Sequence, residues 1–170
     1  MGTTFDAAIQ AVCDTLREGG IPAVFAAYPP VGKKRCAMPV VCVTIAGSSS
    51  VGAGFAEYMG LQFVEETGAY AEIYGRKTEL DLGVYIYSPK GTAYGVGYCM
   101  TLFGQVAGAI GRLPAAGLRV VELRCGETDY DPETDMFRCT AHLLCTAFMY
   151  AVKTDDSPVL DFTLRGVLNR

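Results

Sequence analysis

The alternation of apolar and polar positions is clearest over residues 136–152, and it predicts one long β-strand. Every second residue from Phe137 to Ala151 is apolar, whereas the intervening positions start polar and become apolar towards Val152. Successive side chains of a strand point to opposite faces, so one face covers a core and the other meets something else. Since strands usually run to about 3–10 residues, this length predicts a hairpin that projects beyond the domain body.

Helical spacing of apolar residues appears in two segments. The first follows a capping residue, Thr3, and ends at Gly19 and Gly20. The second is predicted over residues 93–113. Its predicted apolar face comprises Val96, Cys99, Met100, Phe103, Val106, Ala107, Ile110 and Leu113. A second face carries four glycines, at positions 97, 104, 108 and 111. Each costs about 1 kcal/mol relative to alanine, so we expect a close backbone contact, with the protein's own sheet or with a helix of another subunit.

The remaining strands are predicted from β-branched content, alternation and turn residues. They cover 21–28, 40–46, 61–66, 69–74, 79–87 and 118–124, with a hairpin turn at Thr67 and Gly68. The glycine- and serine-rich segment 47–60 contains Val51, Phe55 and Met59. It is too apolar for a plain linker and is interpreted as a loop that becomes ordered against a partner.

This order of elements predicts an α+β fold. We expect a mostly antiparallel sheet with two helices packed on one face and a long projecting β-hairpin. Residues 1–154 are predicted to form a single domain, and 155–170 a C-terminal extension with an edge strand near Leu160 to Leu164.

Composition narrows the classes of function. The chain has 170 residues, a net charge of −4 and no basic stripe typical of nucleic-acid binding. The basic run at 33–35 is interpreted as a solvated loop, with protein or transient DNA contact as the alternative. Seven cysteines without a C-x-x-C pair are interpreted as buried hydrophobes in a reducing cytosol. We expect neither a signal peptide nor a membrane span.

Candidate catalytic and metal-binding patterns are weak. The acidic series Asp129, Asp131, Glu133 and Asp135 resembles the start of a calcium loop, but Thr134 and Thr140 stand where glycine and glutamate are needed. The odd spacing of His142 from Cys139 and Cys145 places it on the opposite face of the strand, which excludes a Cys–His dyad. We therefore expect a non-enzymatic protein with no catalytic residues, metal or cofactor.

Several segments together are similar to a known family. They are the amphipathic N-terminal helix, the strand TELDLGVYIYSPKG, the helix GYCMTLFGQVAGAIGRL and the hairpin LRVVELRCGETDYDPETDMFRCTAHLLCTAFMYAVKT. In order and pattern the chain resembles the tail-terminator (tail-completion, neck) proteins of long-tailed bacteriophages. The glycine-rich second helix and the high cysteine count depart from the family's pattern.

The resemblance implies a structural virion protein, made in the bacterial cytoplasm and placed in the tail or neck. It implies a homo-oligomeric ring, commonly a hexamer, that caps the tail tube and docks it to the head connector. DNA would only pass through the ring. The family has no catalytic residues.

A ring requires two unlike patches on each subunit, and the sequence offers candidates for both. The segment 47–60 supplies Val51, Phe55 and Met59, and the long hairpin supplies Leu144, Phe148 and Tyr150. The C-terminal strand could add to a neighbour's sheet edge. The acidic hairpin tip, formed by Asp129, Asp131, Glu133 and Asp135, is a candidate lumen lining, where like charge would discourage DNA from sticking.

Two other classes of protein stay open. One is a different tail component, such as a tail-tube or baseplate-adaptor subunit. The other is a cytosolic domain that binds a small ligand against a wall of Tyr70, Tyr74, Tyr85 and Tyr87. Cross-strand packing is the more usual role for aromatic residues in such positions.

Overall fold

A computed structural model describes residues 4–27, 36–111, 118–153 and 163–165. Within these ranges there are two α-helices, one short 3-10 helix and one sheet of seven strands. The helices are α1 (Thr4–Glu18) and α2 (Val96–Ile110), and the 3-10 turn is Phe55–Glu57. The strands are β1 (Val24–Phe25), β2 (Val40–Gly52), β3 (Tyr58–Val64), β4 (Ala69–Pro89), β5 (Arg119–Asp131), β6 (Met136–Lys153) and β7 (Thr163–Arg165). The predicted α+β class is confirmed.

The sheet is mostly antiparallel, with the order β1-β2-β4-β6-β5. Only the short β1–β2 pair is parallel among the described strands. β3 pairs with the start of β4, and β7 pairs with β6 near its end. The predicted C-terminal strand therefore exists at Thr163–Arg165, whereas the rest of 155–170 lies outside the described residues.

The helices cover one face of the sheet, here called the inner face, and the core lies between them. Alternate residues of β4 from Leu80 to Ile86 are buried there, as the sequence predicts. The matching residues of β6 run from Cys139 to Ala147. From the helices the buried residues are Ala8, Val12, Cys13 and Leu16 of α1 and Cys99, Leu102, Val106, Ala109 and Ile110 of α2. Neither described helix is long and apolar enough to cross a membrane.

The opposite, outer face has a smaller buried cluster at the end of the sheet where β4 finishes. Its members are Ala23, Val40, Cys42, Tyr87 and Met136, with Cys36 and Tyr85 packed against it. Cys36, which precedes β2, therefore lies on the outer face at this end. Both faces of the sheet are covered here, which explains why the end of β4 is buried on both sides.

The predicted orientation of the second helix is partly wrong. The helix runs from Val96 to Ile110 and not over 93–113, and Leu113 lies outside the described residues. Val96 and Met100 are each 53% exposed, because Leu102 and Ala109 take the inward positions. A Cβ added at Gly97, Gly104 or Gly108 would meet open space. The glycines therefore face away from the sheet, and close packing on the protein's own sheet does not explain them.

The interpretation of 47–60 as a loop is wrong except for residues 53–57, which connect β2 to β3. β2 continues to Gly52, and the hydroxyls of Ser50 and Thr78 lie 3.1 Å apart across the β2–β4 pair. β3 begins at Tyr58 and runs in the same direction along the same side of β4. The segments predicted at 69–74 and 79–87 are parts of the single 21-residue β4, whose length gives both β2 and β3 a partner.

The interpretation of the β5–β6 hairpin as a projecting element is also wrong. β6 pairs with β4 from Met136, opposite Pro89, to Lys153, opposite Glu72, so it is an interior strand. The opposite end of the sheet extends past the helices. We call this extension the arm and define it as residues 46–78 and 148–153. No arm residue belongs to either buried apolar cluster in the described part of the chain.

Candidate interaction surface

The edge of the sheet formed by β2 and β3 has few features that protect it from pairing. From Val43 to Val64 the sequence contains one charged residue, Glu57, and no proline. β1 pairs only with Val41 and Cys42, and no other described strand pairs along the far side of β2 or β3. Exposed edges with unpaired backbone groups and few charges are templates for strand addition.

The other edge, formed by β5, differs in composition. Six of the 13 residues of β5 are charged: Arg119, Glu122, Arg124, Glu127, Asp129 and Asp131. Nε of Arg124 donates a hydrogen bond of 2.6 Å to Oε1 of Glu122, and this bond lowers the pKa of the Glu122 carboxyl. Charged edge strands resist edge-to-edge association. Of the two long edges, the β2–β3 edge is therefore the one whose low charge favours pairing with a further strand.

Large apolar side chains are exposed on the arm. On its inner face they form two cross-strand pairs, Tyr58 with Tyr74 and Phe63 with Tyr70, whose ring centroids lie 5.8 and 5.3 Å apart in edge-to-face geometry. Leu61 lies between the two pairs along β3 and is 59% exposed. Exposed aromatic and aliphatic side chains that lie side by side are typical of protein interfaces.

The turn between β2 and β3 presents Phe55. Ala56 and Glu57 have positive φ values of 50° and 68°, which reverse the chain briefly before β3 resumes along β4. Nε of Arg76 lies 2.7 Å from Oε1 of Glu57 and ties the turn to β4. Phe55 is left 95% exposed. Exposure of a phenylalanine side chain to water is unfavourable, and burial of this side chain against a partner would lower the free energy.

The outer face of the sheet contains two neighbouring depressions. The first has a volume of about 340 Å³ and is lined by Gly47, Asp81 and Leu144, among others. The second, of about 410 Å³, is lined by Lys77 and Phe148, and both depressions include Val121 and Thr146. They lie where β2 is bulged between Ile45 and Gly47 and β5 is bulged between Val120 and Glu122. We call the two depressions together the outer groove.

The structure brings most of the predicted interface residues to one face. Val51 and Phe148 both pair with Lys77, so they flank it on the outer face, and Leu144 lies further along in the outer groove. A Cβ built on Gly75 would collide with the sulfur of Met59, which places Met59 on this face too. Phe55 lies at the turn. Of Tyr150, only the backbone pairing with Gly75 and Thr163 is described.

The acidic residues at the β5–β6 turn do not form a projecting tip. Asp131 is 9% exposed, and its carboxylate accepts hydrogen bonds from the Glu133 amide and the Thr134 hydroxyl. Asp135 accepts bonds from Lys90 at 2.7 Å and from the Tyr130 hydroxyl at 2.6 Å. The hydrogen bond to Asp135 is the main cause of the raised pKa of Lys90.

Two of the acidic residues therefore stabilise the conformation of the turn. Asp131 caps the turn, and the Lys90–Asp135 pair fixes its position beside the end of β4. Asp129, opposite Arg138, lies in β5 itself. Glu133 is exposed in the turn. The four residues are therefore not a uniform charged rim, although their role in a lumen stays a prediction.

The tyrosines do not form the predicted ligand wall. Tyr70 and Tyr74 lie on the inner face of the arm, whereas Tyr85 and Tyr87 lie on the outer face near Cys42. Residues an even number apart along a strand share a face, so residues 74 and 85 do not. The cross-strand packing that the sequence favoured is what the structure shows for Tyr70 and Tyr74.

His142 and the cysteines lie on opposite faces, as predicted. Nδ1 of His142 lies 3.0 Å from Asp81 on the outer face, where the imidazole side chain is 44% exposed. Cys139 and Cys145 are buried on the inner face, and burial raises their pKa values to about 12 and about 11. No group of three or more potential metal ligands occurs among the described residues.

Sequence patterns did not reveal the open edge. They divided residues 40–64 into a strand, a loop and the first strand of a hairpin. The continuous pairing of β2 and β3 along β4 was therefore missed. The sequence feature that could have indicated this edge is the shortage of charge and proline. A stretch of 22 residues with one charge and no proline is unusual at a surface.

Comparison with known proteins does not assign the chain to a family. No protein-family model matches the chain, and no curated protein matches it. Its function must therefore be inferred from the sequence pattern together with the open edge, the exposed apolar arm and the outer groove.

Proposed function

We propose that this chain is a structural virion protein, a tail terminator of a long-tailed phage or prophage. Its subunits form a closed ring that caps the tail tube and joins it to the head connector. The observation that carries the proposal is the edge from Val43 to Val64, which has a single charged residue and lies mostly on an arm whose large apolar side chains are exposed in the described part of the chain.

The open edge supports assembly through strand addition. A strand laid along β3 would satisfy its outward backbone groups and would cover Leu61 and Phe63, which are 59% and 49% exposed. Each fully buried side chain of this size contributes about 1.5–3 kcal/mol relative to exposure. A few such side chains on each subunit are enough to offset part of the entropy lost on association.

A ring, and not only a dimer, is supported by the second unlike surface. Heterologous contacts, in which one patch meets a different patch on the next subunit, are what close a ring. The open edge and the outer groove are unlike in shape and composition, and both belong partly to the arm. Each subunit can therefore offer the edge to one neighbour and the groove to the other.

The first experiment is the mass of the purified full chain in solution across a concentration series, with negative-stain images of any large species. We expect a discrete closed ring, with about six subunits as the resemblance implies. A dimer that does not grow with concentration would mean that the edge pairs with itself, and it would contradict the ring. Monomers at every concentration, with or without tail-tube protein, would also contradict it.

A matched pair of variants tests whether the open edge makes the contact. Leu61→Lys places a charge on β3, whereas Met38→Lys places one on an exposed methionine outside the arm. Both positions are about half exposed, at 59% and 49%, so neither change should unfold the chain. We expect Leu61→Lys to dissociate the ring and Met38→Lys to leave it intact.

The form of the assembly distinguishes the proposal from its alternatives. Open-ended stacks of rings would favour a tail-tube subunit. A monomer that retains a small molecule, detected by native mass spectrometry, would favour a ligand-binding domain with the outer groove as its site, since that groove has polar walls at Asp81 and Thr146.

A further inference from the structure

Two cysteine side chains meet beneath α2, outside every surface used in the proposed assembly. Cys125 of β5 and Cys139 of β6 have their Sγ atoms 3.2 Å apart. Cys139 is fully buried, whereas Cys125 is half-buried at the rim, with its Sγ 3.9 Å from the thioether sulfur of Met100. All seven cysteines are thiols in the structure.

A bulge in β5 produces this proximity. The ladder is regular from Glu122, opposite Leu144, to Cys125, opposite Ala141, and resumes at Thr128, opposite Cys139. Gly126 and Glu127 therefore lie opposite the single residue Thr140, so β5 has one extra residue here. A Cβ at position 126 would come within 2.9 Å of the Thr140 carbonyl oxygen, which explains the glycine. The Gly126 carbonyl lies 3.4 Å from Sγ of Cys125 and 3.9 Å from Sγ of Cys139, so both thiols turn towards the same group.

We infer that Cys125 and Cys139 form an oxidisable pair, which a hydroperoxide converts into an intramolecular disulfide and a thiol reductant restores. An S–S bond is about 2.05 Å long, so the sulfur atoms must approach by roughly 1 Å. The bulge allows this movement, because the backbone between Cys125 and Thr128 is not fixed by regular pairing with β6.

The two thiols have different roles in the reaction. The thiolate of Cys125, the one near the surface, attacks the terminal oxygen of hydrogen peroxide. The O–O bond breaks, hydroxide leaves and takes up a proton to form water, and Cys125 becomes a sulfenic acid. The sulfur of Cys139 then attacks the sulfur of Cys125, and the S–O bond breaks. The departing hydroxyl takes the Cys139 proton and leaves as a second water. Two thiols and one peroxide thus give one disulfide and two waters.

The other cysteines are poorly placed to compete. Cys13, Cys42, Cys99 and Cys145 are at most 1% exposed, so peroxide reaches them slowly. Cys99 is directed towards the backbone carbonyl of Phe137, 3.8 Å away. Cys36 is half-buried on the other face of the sheet, beside the cluster that contains Cys42, so it cannot compete for Cys125 or Cys139 within one molecule.

Trypsin provides a direct assay, because Arg124 precedes Cys125 and Arg138 precedes Cys139. The full chain is treated with hydrogen peroxide, its remaining thiols are alkylated in denaturant, and the digest is analysed by mass spectrometry. We expect the peptides 125–138 and 139–153 to appear joined, with fragmentation assigning the bond to Cys139 and not Cys145. Dithiothreitol should separate them.

Serine variants test which cysteines form the bond. Cys125→Ser should abolish the joined peptide, whereas the matched control Cys36→Ser should leave its yield unchanged. If Cys139→Ser fails to fold, the half-buried Cys125→Ser still gives the answer. Three results would overturn the inference: no joined peptide in the wild-type protein, a bond from Cys125 to Cys145 or Cys99, or crosslinks only between molecules.

Discussion

The helix-covered end of the sheet and the arm are built from the same three long strands, yet they differ in what surrounds them. In the covered end, alternate residues of β4 and β6 lie beneath α1 and α2, and Leu80, Leu82 and Leu143 are at most 2% exposed. In the arm, β3 and β4 carry Leu61, Phe63 and Tyr70, and each is between 49% and 70% exposed. The arm therefore exposes large apolar side chains that the covered end would bury.

The two regions therefore differ in how much their apolar residues contribute to the stability of the monomer. The covered end already has its buried core, so its apolar residues stabilise the monomer. The arm buries little within the chain, and its strands continue because β4 is long enough to give β2, β3 and β6 a backbone partner. We propose that these apolar residues, which contribute little to the monomer but occur together on an exposed edge, contact another subunit.

The largest expected effect is a contrast between two leucines. Leu80→Ala, in the covered end, should lower the free energy of unfolding by about 2–5 kcal/mol, because it leaves a cavity in the core. Leu61→Ala, in the arm, should change it by less than about 0.5 kcal/mol. Urea denaturation of the dilute, unassembled protein measures both. Equal losses would show that the arm contributes to the core as much as the covered end does.

A second prediction uses alkaline pH, since every cysteine lies outside the arm. Burial raises the pKa of Cys145 from 9.0 to about 11, so the folded chain keeps a proton that the unfolded chain releases above pH 9. The stabilisation is complete below pH 9 and is lost as pH rises towards 11, at up to about 1.4 kcal/mol per pH unit.

The Cys145→Ala variant should remove that part of the pH dependence. Stability curves of the variant and the wild-type protein between pH 8 and pH 11 are the measurement, made in reductant to exclude disulfides. The control is Leu61→Ala, which should keep the wild-type slope. Identical slopes for Cys145→Ala and wild type would show that the thiol is not protected from ionisation in the folded chain.

The smallest effect concerns the glycines of α2, which belong to the covered end. Gly104→Ala and Gly108→Ala add a methyl group into open space within a helix, and each should stabilise the monomer by about 0.5–1 kcal/mol. If assembly depends on the arm, both variants should still form the oligomer, as measured by solution mass. Loss of assembly would move the interface to this helix and support the helix-to-helix contact that the glycines suggested.

Much of the covered end could be predicted from the sequence. The alternation in β4 and β6 identified the buried faces correctly, because side chains in a paired strand must alternate and one face had to be apolar. The spacing in α1 and its stop at Gly19 were equally informative. For α2 the prediction was only partly correct. Cys99, Val106 and Ile110 are buried as predicted, but apolar residues occur nearly all round this helix, and the pattern does not select Leu102 and Ala109 over Val96 and Met100.

The sequence named individual candidate interface residues but not the surface that they share, and their role in an interface stays a prediction. Val51, Met59, Leu144 and Phe148 were identified as interface residues, and they share the outer face of the structure. The prediction assigned them to a loop and to a projecting hairpin, and neither exists in that form. Glycine and serine indicated a loop at 47–52, but a long neighbouring strand provided hydrogen-bond partners and kept the segment extended.

The sequence by itself determined the phase of the strands, the fold class and the shortage of charge between Val43 and Val64, because these depend on the order of side chains along one chain. The tertiary structure decided which edge of the sheet is open, where the helices end their cover and that Cys125 meets Cys139. These features depend on register between distant segments. A bulge of one extra residue in β5 or a strand of 21 residues in β4 changes that register without leaving a local pattern.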